Sequence, residues 1–273
     1  MKTVLITGAS SGIGLETALT FFEHQWNVVA TMRNPENRRT LLHEKGLPDL
    51  VHLDVMDDAS ILAAIQYTLG KYQGVDVLVN NAGYAVYGPF EATTQEQVMR
   101  QFNTNLFGLM QVTRQLLPLF RQRKGGVLIN VASMGGRIGF PLYTIYDSSK
   151  WAVEGFSEAL QYELKPLNIR VKLIEPGVIK TDFYERSMDT VDSGEWQEAY
   201  GSILKREEKR TGEAALRGAT SPRVVARAIY RAATDSSWRL RYPVGWDARG
   251  VAFLRWLLPE RMFSWVLEKM FLD

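Results

Sequence analysis

TVLITGASSGIGLETA, from Thr3 to Ala18, passes from an apolar run into a glycine-rich turn and then into a helical pattern. Two kinds of site share this order. Glycines at the start of a helix leave room for a nucleotide phosphate, which backbone N–H groups and the helix dipole attract. The stretch from Gly8 to Gly12 also matches the G-x-S-x-G turn that presents the serine of a hydrolase. The rest of the sequence has to decide between a phosphate and a nucleophile.

The hydrolase interpretation requires an acid and then a histidine later in the chain to activate the serine. The histidines are His24, His43 and His52, and Asp49 is the only aspartate between Ser10 and the last of them. An acid almost beside its histidine does not fit that relay, so the sequence favours the nucleotide interpretation. Glycine spacing also suits a purely structural tight turn, and residues further along the chain are needed to decide.

Composition and charge limit the classes of protein to which the chain can belong. Its 273 residues are 46% hydrophobic and 23% charged, which is typical of a globular protein with a large core. The 32 basic and 30 acidic residues are well mixed, so we expect no nucleic-acid partner. The absence of cysteine excludes disulfides and thiolate sites and fits a reducing compartment. The apolar runs are too short for a signal-peptide core or a membrane span, and we predict a cytoplasmic protein that binds no metal.

Short β-branched runs alternate with longer segments of helical period, which predicts parallel strands joined by crossover helices. The predicted strands span residues 3–7, 27–32, 50–55, 75–80, 126–131 and 170–175. Several are continuous apolar runs, as expected when helices cover both faces of a sheet. The predicted fold class is therefore α/β, a doubly wound parallel sheet in one domain over residues 1–273. Ligands of such sheets bind at the carboxyl ends of the strands.

Three further segments have distinct patterns. Thr94 and Gln97 form a capping box before a helical pattern that reaches Arg123. The polar segment 181–220 is predicted to form short helices in a substrate-binding loop or lid. Segment 246–273 carries aromatic and apolar residues at helical spacing. It suits a helix packed on its own domain, a pocket wall, a dimer contact or a membrane-surface helix.

The glycine turn is the first of a series of separated motifs. They are TGASSGIG (7–14), LDV (53–55), NNAG (80–83), Asn105, Ser133, Tyr146-x3-Lys150, and Pro176-Gly177 with Thr181. In order and spacing the series resembles the short-chain dehydrogenase/reductase family over roughly the first two thirds of the chain. The resemblance implies a Rossmann-type fold of about seven strands and hydride transfer between a nicotinamide cofactor and a carbonyl or alcohol. Beyond about Phe183 the resemblance is weak, because the substrate loops of this family vary.

Tyr146 and Lys150 are four residues apart on a helical pattern, so their side chains share a face. A tyrosine–lysine pair on a helix surface needs no function. A phenol with a pKa near ~10 becomes useful near pH 7 only if about 4 kcal/mol favours the phenolate. One ammonium at roughly 4 Å supplies about that much. The resemblance implies that Tyr146 is the general acid/base, while Lys150 lowers its pKa and holds the nicotinamide ribose.

Two polar residues complete the tetrad that the resemblance implies. Ser133 follows the predicted strand 126–131, where it is either a turn residue or the donor that binds the substrate oxygen as hydride moves. Asn105 lies inside the helical pattern, where asparagine is a mediocre helix former, and a structural hydrogen bond would also explain it. The resemblance gives Asn105 the ordering of a water that carries protons from Lys150 to solvent.

The end of the second predicted strand bears on the choice of nicotinamide cofactor. An acidic residue there accepts from the ribose 2′-hydroxyl of NAD, but residues 30–34 contain no carboxylate and include Arg33. A guanidinium can pair with a 2′-phosphate, although a surface arginine needs no explanation. We therefore predict NADP(H). The cofactor-binding residues implied by the resemblance are Gly8, Ser10, Ser11, Gly12, Ile13, Gly14, Arg33, Asp54, Val55, Asn81, Ala82, Gly83, Tyr146, Lys150, Pro176, Gly177, Val178, Ile179 and Thr181.

The residues expected to face the nicotinamide are apolar or aromatic, which suits a hydrophobic ketone, aldehyde or alcohol. The predicted substrate-binding residues are Ser133, Met134, Phe140, Tyr143, Tyr146 and Phe183, with Tyr87, Tyr184 and Met188 as further candidates. Within the family, the segments ATMRNPE and KWAVEGFSEAL look most like the hydroxysteroid, retinol and carbonyl reductase branch.

Two expectations concern partners and the competing class of function. We expect a homodimer or homotetramer, with a weak membrane-surface contact through the C-terminal segment. The alternative function is a catalytically quiet NADP(H)-binding sensor or interaction protein on the same fold. The presence of all four residues of the tetrad argues against that alternative.

Overall fold

The computed structural model describes residues 1–36, 40–181, 183–192, 194–211 and 218–272. Within these ranges the strands are β1 (Thr3–Ile6), β2 (Asn27–Met32), β3 (Asp49–His52), β4 (Val77–Asn80), β5 (Ala85–Tyr87), β6 (Gly126–Val131), β7 (Ile169–Pro176), β8 (Met188–Thr190) and β9 (Arg241–Val244). Seven of them form one parallel sheet in the order β3-β2-β1-β4-β6-β7-β9. The other two, β5 and β8, pair in parallel with each other.

Helices connect the strands and cover both faces of the sheet. They are α1 (Gly12–Glu23), α2 (Leu41–Glu44), α3 (Asp58–Tyr72), α4 (Gln95–Phe102), α5 (Leu109–Gln122), α6 (Thr144–Leu164), α7 (Phe183–Arg186), α8 (Gln197–Thr211), α9 (Pro222–Thr234), α10 (Trp246–Leu257) and α11 (Glu260–Leu272). One apolar core joins the sheet to α1 and α9, and a second joins it to α3, α5 and α6. The strands read as continuous apolar runs because both of their faces are buried.

The position of β1 determines where a ligand can bind. From β1 the chain first builds outward through β2 and β3, and then returns to build in the other direction from β4. The crossover loops therefore diverge at the carboxyl ends of β1 and β4, which opens a crevice at this switch point. The predicted α/β, doubly wound parallel sheet is confirmed.

Two predicted strands are each two residues shorter than expected, and three strands, β5, β8 and β9, were not assigned from the sequence. Residues 50–55 become Asp49–His52 and residues 75–80 become Val77–Asn80. The first of these strands ends early because Asp54 starts a turn, its carboxylate accepting from Met56 N at 3.0 Å. The unassigned strand β9 is short and contains Pro243. It lies at the edge of the sheet, where the missing N–H of proline is tolerated.

The helical pattern from residue 95 to 123 is not one regular helix. Thr94 and Gln97 form the predicted capping box at the start of α4. Asn103–Gly108 then forms a π-helical turn before α5 begins. A Cβ on Gly108 would lie 2.8 Å from the Cβ of Val55, so glycine allows this wider turn to pack closely. Such π-turns are frequent at functional sites.

The two segments with unusual composition contain helices, as the sequence predicts, but their helices and strands differ in detail from that prediction. Segment 181–220 contains β8 and the 15-residue α8 in its described part, rather than short helices alone; residues 182, 193 and 212–217 lie outside the described ranges. Segment 246–273 forms two helices, α10 and α11, that are separated at Pro259. In the part of the chain that is described, no helix is long and apolar enough to cross a membrane.

Candidate active site

A cleft of about 550 Å³ opens at the carboxyl ends of the central strands. It collects the residues that follow β1, β2, β3, β4, β6 and β7 together with the start of α6. Every predicted catalytic, cofactor-binding and substrate-binding residue lines this cleft except Gly14 and Asn105, which are buried beside it. Of the further candidates, Met188 lines the cleft and Tyr87 does not. The side chain of Tyr184 lies outside the described part of the structure.

The glycine turn after β1 has a backbone that side chains would obstruct. Gly8 and Gly12 have φ angles of +67° and +55°, in the left-handed region that favours glycine. A Cβ on Gly8 would lie 2.8 Å from Ala82 Cα, and a Cβ on Gly14 would lie 2.3 Å from Gly8 O. The side chain of Asn81 closes the turn by donating to Gly8 O at 3.0 Å. Gly14 therefore serves close packing within the turn rather than the cleft surface.

The helix that follows the turn presents its N-terminus to the cleft. Ser11 is extended at the N-cap of α1, and its side chain makes no capping hydrogen bond. The first N–H groups of a helix have no intrahelical partner, and together with the helix dipole they attract anions. Ser10, Ser11 and Gly12 line the cleft at this point. A turn without side-chain bulk before an uncapped helix fits the diphosphate of a nicotinamide dinucleotide.

The positions of the histidines do not suit the hydrolase interpretation of the same turn. A nucleophilic serine needs a histidine within hydrogen-bond reach. The three histidine rings form hydrogen bonds to other groups: His24 to Thr20 O, His43 to Thr40 N and His52 to Arg33 O. This arrangement favours the nucleotide interpretation of the turn.

Tyr146 and Lys150 lie in the first turns of α6, on the wall of the cleft. Lys150 is buried, and its Nζ donates to Val131 O at 2.9 Å. The same Nζ stands 5.7 Å from the centre of the Tyr146 ring. Burial lowers the pKa of Lys150 to about 8, and the Glu154 carboxylate opposes this shift. The ammonium form still predominates at pH 7, so the site holds a cation beside the phenol ring.

Ser133 is the second residue after β6 and begins a tight turn. Its Oγ accepts from Gly135 N at 3.1 Å as the N-cap of the 3-10 turn Met134–Gly136. A hydroxyl that accepts one hydrogen bond keeps its own proton for donation to another oxygen. Ser133 is therefore a turn residue, which is one of the two roles considered for it from the sequence. Its hydroxyl is also a donor that lines the same cleft as Tyr146.

Asn105 lies in the π-helical turn behind the tyrosine–lysine pair. Its Oδ1 accepts from Tyr84 N at 3.1 Å, and its Nδ2 donates to Tyr84 O at 2.9 Å and to Ser149 Oγ at 3.2 Å. A Cβ on Gly83 would be within 4 Å of both Asn105 Oδ1 and Lys150 Nζ. The structural hydrogen bonds considered for Asn105 are thus present, and they fix it as a near neighbour of Lys150.

Arg33 and Asp54 lie at the other end of the cleft. Arg33 is exposed directly after β2, where an acidic residue would accept from a ribose 2′-hydroxyl. Its carbonyl oxygen accepts from His52 Nδ1 at 2.6 Å, which ties the loop after β2 to the end of β3. Asp54 follows β3 and lines the same end. This end therefore presents a guanidinium at the position that discriminates between the two nicotinamide dinucleotides.

Comparison with known proteins decides the family. Residues 2–192 match the family model described as short chain dehydrogenase. The chain belongs to the short-chain dehydrogenase/reductase family. It is 37% identical to the uncharacterized oxidoreductase YusZ of Bacillus subtilis, over 98% of both chains. It is 35% identical to the 3-ketodihydrosphingosine reductase of Bacteroides thetaiotaomicron, over 83% of this chain and 84% of that one. It is 36% identical to retinol dehydrogenase 8 of Bos taurus, over 71% of this chain and 64% of that one.

Solved structures agree with this assignment to the oxidoreductases of the family. A short-chain dehydrogenase from Streptomyces avermitilis superposes with a TM-score of 0.80 at 32% identity, over 92% of this chain and 90% of that one. ElxO with NADP bound, and the 3-ketoacyl-(acyl-carrier-protein) reductase of Brucella melitensis complexed with NADH, are each 26% identical. Their TM-scores are 0.71 and 0.72, respectively. Each match covers 88% of this chain, together with 94% of the ElxO chain and 93% of the Brucella chain. The fold is therefore an NAD(P)-binding fold.

The end of the cleft next to Tyr146 in this dehydrogenase/reductase is lined by aromatic residues. The Tyr146 ring centre lies 6.1 Å from that of Tyr143 and 6.2 Å from that of Phe183. Tyr87 packs on the outer side of this group, 5.0 Å from Tyr143. Phe140 meets Phe271 of α11 edge to face at 5.5 Å. The C-terminal helix therefore supports the pocket wall, which is one of the roles considered for it.

A polar cluster at the same end was missed by sequence reasoning. Arg100 of α4 forms an ion pair with Asp189 of β8 and donates to Tyr84 Oη at 3.2 Å. All three residues line the cleft. Burial raises the pKa of the Tyr84 phenol, and Arg100 opposes this shift. No local pattern could have found the ion pair, since its partners are 89 residues apart.

Asp247 supports the segment after β7 in this dehydrogenase/reductase. Its Oδ2 accepts from Val178 N at 2.6 Å. Cβ atoms on Gly177 and Gly245 would lie within 2.4 Å of its carboxylate, so both glycines make room for it. No local sequence pattern marks Asp247, because Gly177 lies about 70 residues before it and only the fold brings the two together.

A partly buried ionic cluster connects the edge strand β9 to the end of the Ser133 turn. Arg241 of β9 pairs with Glu154 at 2.9 Å and with Glu175 of β7 at 3.4 Å, and it also pairs with Glu158. Arg137, four residues after Ser133, pairs with Glu175 at 3.2 Å. Burial raises the pKa of Glu154 and the Glu175 carboxylate raises it further, while Arg241 opposes both.

Leu142 has an unusual backbone beside the pocket. It is buried between the pocket residues Phe140 and Tyr143, and its φ angle is +68°. A bulky residue in the left-handed region is a genuine outlier. Its carbonyl oxygen accepts from Gly88 N at 2.9 Å, which fixes the strained conformation in place.

Proposed function

We propose that this protein is an NADP(H)-dependent oxidoreductase that interconverts a hydrophobic ketone or aldehyde and the corresponding alcohol. The observation that carries the proposal is a single cleft in which the uncapped start of α1, Ser133, the Tyr146–Lys150 pair and an aromatic wall face the same space. A phosphate cradle alone would suit any nucleotide-binding protein. The proton-exchanging pair beside it is what favours chemistry.

Each residue has a role that its geometry permits. Bound NADP(H) supplies or accepts the hydride. Ser133 donates a hydrogen bond to the substrate oxygen and stabilises the negative charge that develops there. Tyr146 exchanges a proton with the same oxygen, and the ammonium of Lys150 favours the phenolate form by Coulomb attraction. Lys150 would also hold the nicotinamide ribose, and the start of α1 would hold the diphosphate.

The aromatic wall supports a hydrophobic substrate. Phe140, Tyr143 and Phe183 border the space next to Tyr146, and burying apolar surface is worth about 25 cal/mol per Å². Two relatives are named for compounds with large apolar portions, 3-ketodihydrosphingosine and retinol. A sugar or a small charged acid would leave this wall without a partner.

Replacing Tyr146 with phenylalanine tests the proposal, because it removes only the phenolic hydroxyl. Oxidation of NADPH, followed by absorbance against steroid, retinoid and aromatic carbonyls, should fall to background in Tyr146→Phe. NADPH affinity, measured by fluorescence titration, should stay within about twofold, since no phosphate contact is lost. Tyr162→Phe is the matched control, because Tyr162 is exposed on the same helix. Substantial turnover by Tyr146→Phe would remove Tyr146 from the mechanism.

Arg33 carries the proposed preference for NADPH. A hydrogen bond to a charged group is worth about 1.5–3 kcal/mol, and since Arg33 is exposed the lower figure applies. Arg33→Asp should therefore lower kcat/KM with NADPH by about tenfold or more and raise it with NADH, for which a carboxylate is the better partner. Arg121→Asp, at an exposed arginine of α5, controls for the charge reversal. A wild-type preference for NADH would overturn this assignment.

The sensor alternative gives a different result in the same assays. A wild-type protein that binds NADPH tightly but oxidises it with no carbonyl of the panel would favour a sensor. Activity that depends on Tyr146 would exclude that alternative.

A further inference from the structure

Asp147 lies directly after Tyr146 and has no role in the mechanism above. Its side chain is 4% exposed and borders the cleft. Its Oδ2 accepts from Phe140 N at 2.6 Å. Its Oδ1 is buried, and among the described residues it has no hydrogen-bond partner. A buried carboxyl oxygen without a hydrogen-bond partner destabilises the folded state, so Asp147 is a candidate for a functional role.

The Oδ1 atom of Asp147 packs against the turn that carries Ser133. A Cβ on Gly135 would lie 2.3 Å from Asp147 Oδ1 and 3.5 Å from Ser133 Oγ. Gly135 is also the residue whose N–H donates to Ser133 Oγ at 3.1 Å. The carboxyl therefore occupies the space beside the one residue that fixes the Ser133 hydroxyl, and the absence of a side chain on Gly135 makes this approach possible.

The Oδ2 atom of Asp147 holds the segment that carries Phe140, on the other side of the pocket. Phe140 lines the cleft and contacts Phe271, so the hydrogen bond to its N–H fixes the place where the aromatic wall begins. The backbone N–H of Asp147 itself donates to Tyr143 O at 2.8 Å. From the helix that carries Tyr146, one side chain thus reaches both the turn that carries Ser133 and the segment that carries Phe140.

We propose that Asp147 is a positioning residue, whose carboxyl holds the Ser133 turn and the Phe140 segment in register with Tyr146. This inference rests on the proposed function, since it concerns the reaction assigned to those residues. Asp147 acts through its neighbours and does not touch the reacting atoms.

The environment of Asp147 suits a neutral acid in this role. Burial raises the pKa of the Asp147 carboxyl to about 8, and the hydrogen bond from Phe140 N opposes the shift. The protonated form therefore predominates at pH 7, and the geometry needs an acceptor for Phe140 N rather than a charge. An amide of the same shape satisfies that need, whereas an apolar side chain of similar size leaves the Phe140 N–H buried and unpaired.

Two variants that keep the branched shape of the aspartate side chain separate the hydrogen bond from simple filling of space. Asp147→Asn keeps the acceptor, so kcat and KM should stay within about threefold of the wild type. Asp147→Leu removes it, and kcat should fall about ten- to hundredfold, as expected when a buried donor loses its partner. NADPH affinity should change by less than about twofold in both variants. A Leu variant that turns over at the wild-type rate, or an Asn variant as impaired as Leu, would overturn the proposal.

A double-mutant cycle tests whether Asp147 acts through Ser133. In a Ser133→Ala background the further loss caused by Asp147→Leu should shrink to less than about threefold, because the hydroxyl to be positioned is absent. If the loss of kcat in the double variant equals the product of the two single losses, the effect of Asp147→Leu is a general structural one and the positioning role is contradicted.

A readout independent of turnover separates this inference from the proposed function. Amide hydrogen exchange by NMR should be slow at Phe140 and Gly135 in the wild type and in Asp147→Asn, and much faster in Asp147→Leu. If the wild type transfers no hydride, the proposed function fails, while this protection pattern still tests the geometry. Equal exchange in all three proteins would overturn the positioning role even if the enzyme is active.

Discussion

Replacing Lys150 with methionine should stabilise the protein at neutral pH and almost abolish its activity. Lys150 is buried on α6 with its ammonium bonded to Val131 O at 2.9 Å. Methionine is also unbranched and fills irregular apolar space, but it carries no charge. The two effects have opposite signs because the charge that serves the site is also the charge that the folded state has to desolvate.

The effect on stability follows from the pKa of Lys150. Burial lowers it from 10.5 to about 8, and a tenfold change in proton affinity is about 1.4 kcal/mol, so charged Lys150 costs the folded state roughly 3 kcal/mol. Because folding depresses this pKa, the cost is fully present below pH 8, falls as pH rises and is gone above 10.5. Losing the bond to Val131 costs about 1–2 kcal/mol at any pH. The variant should be about 1–2 kcal/mol more stable than the wild type at pH 7 and less stable near pH 10.5.

The effect on activity follows from the distance between Lys150 and Tyr146. If the phenolate charge is placed at the ring centre of Tyr146, 5.7 Å from Lys150 Nζ, the two unit charges attract by about 3 kcal/mol at an effective dielectric of about 20. Loss of that attraction makes the phenolate harder to form. The rate kcat at pH 7 should therefore fall about a hundredfold or more.

Urea unfolding at pH 7 and pH 10, followed by circular dichroism, measures the first effect, and NADPH oxidation measures the second. Lys205→Met is the control, because Lys205 is an exposed lysine on a helix outside the cleft lining. If the variant and the wild type differ in free energy of unfolding by the same amount at both pH values, the burial argument is wrong. If kcat is unchanged, the assigned role of the cation is wrong.

Three further substitutions test the packing around the site. Gly14→Ala should abolish NADPH binding and lower the free energy of unfolding by about 2 kcal/mol or more, because its Cβ would lie 2.3 Å from a carbonyl oxygen. An unchanged NADPH affinity in a fluorescence titration would refute the close packing of the turn. Arg241→Ala should lower the free energy of unfolding by about 1–3 kcal/mol because the buried carboxyls of Glu154 and Glu175 lose the guanidinium that they share, and an unchanged free energy of unfolding in urea would contradict this. Asp189→Asn should raise the KM of the carbonyl substrate, because Asp189 and its partner Arg100 line the cleft. The free energy of unfolding should change by less than about 1 kcal/mol, because this ion pair is partly exposed. An unchanged KM would show that the pair does not shape the pocket.

The fold was predictable because its main signals are local. Apolar runs such as Gly126–Val131 are buried on both faces, so their sequence alone identifies strands of a covered parallel sheet. The strand β9 escaped prediction because its four residues include a proline and an arginine, and only its pairing with β7 makes it a strand. The π-helical turn at Asn103–Gly108 has no sequence signal distinct from that of a regular helix.

The site was predictable where single residues serve a turn or a strand end, and unpredictable where distant side chains meet. Gly8 and Ser133 follow strands directly, so their place in the cleft follows from the sheet. Asp147 and Asp247 act on backbone N–H groups that tertiary structure alone brings to them. The sequence contains these aspartates without any pattern that distinguishes them from surface carboxylates.

The strained backbone of Leu142 is offset by the burial of its own side chain. A non-glycine residue at a φ angle of +68° costs about 1–2 kcal/mol relative to glycine. Leu142 is buried, and burying a leucine side chain contributes about 1.5–3 kcal/mol, which glycine or asparagine would forfeit. Either exchange would also release the chain between Phe140 and Tyr143 and loosen the aromatic wall beside Tyr146. Selection for a higher melting temperature and selection for a fixed pocket shape therefore favour the same residue at this position.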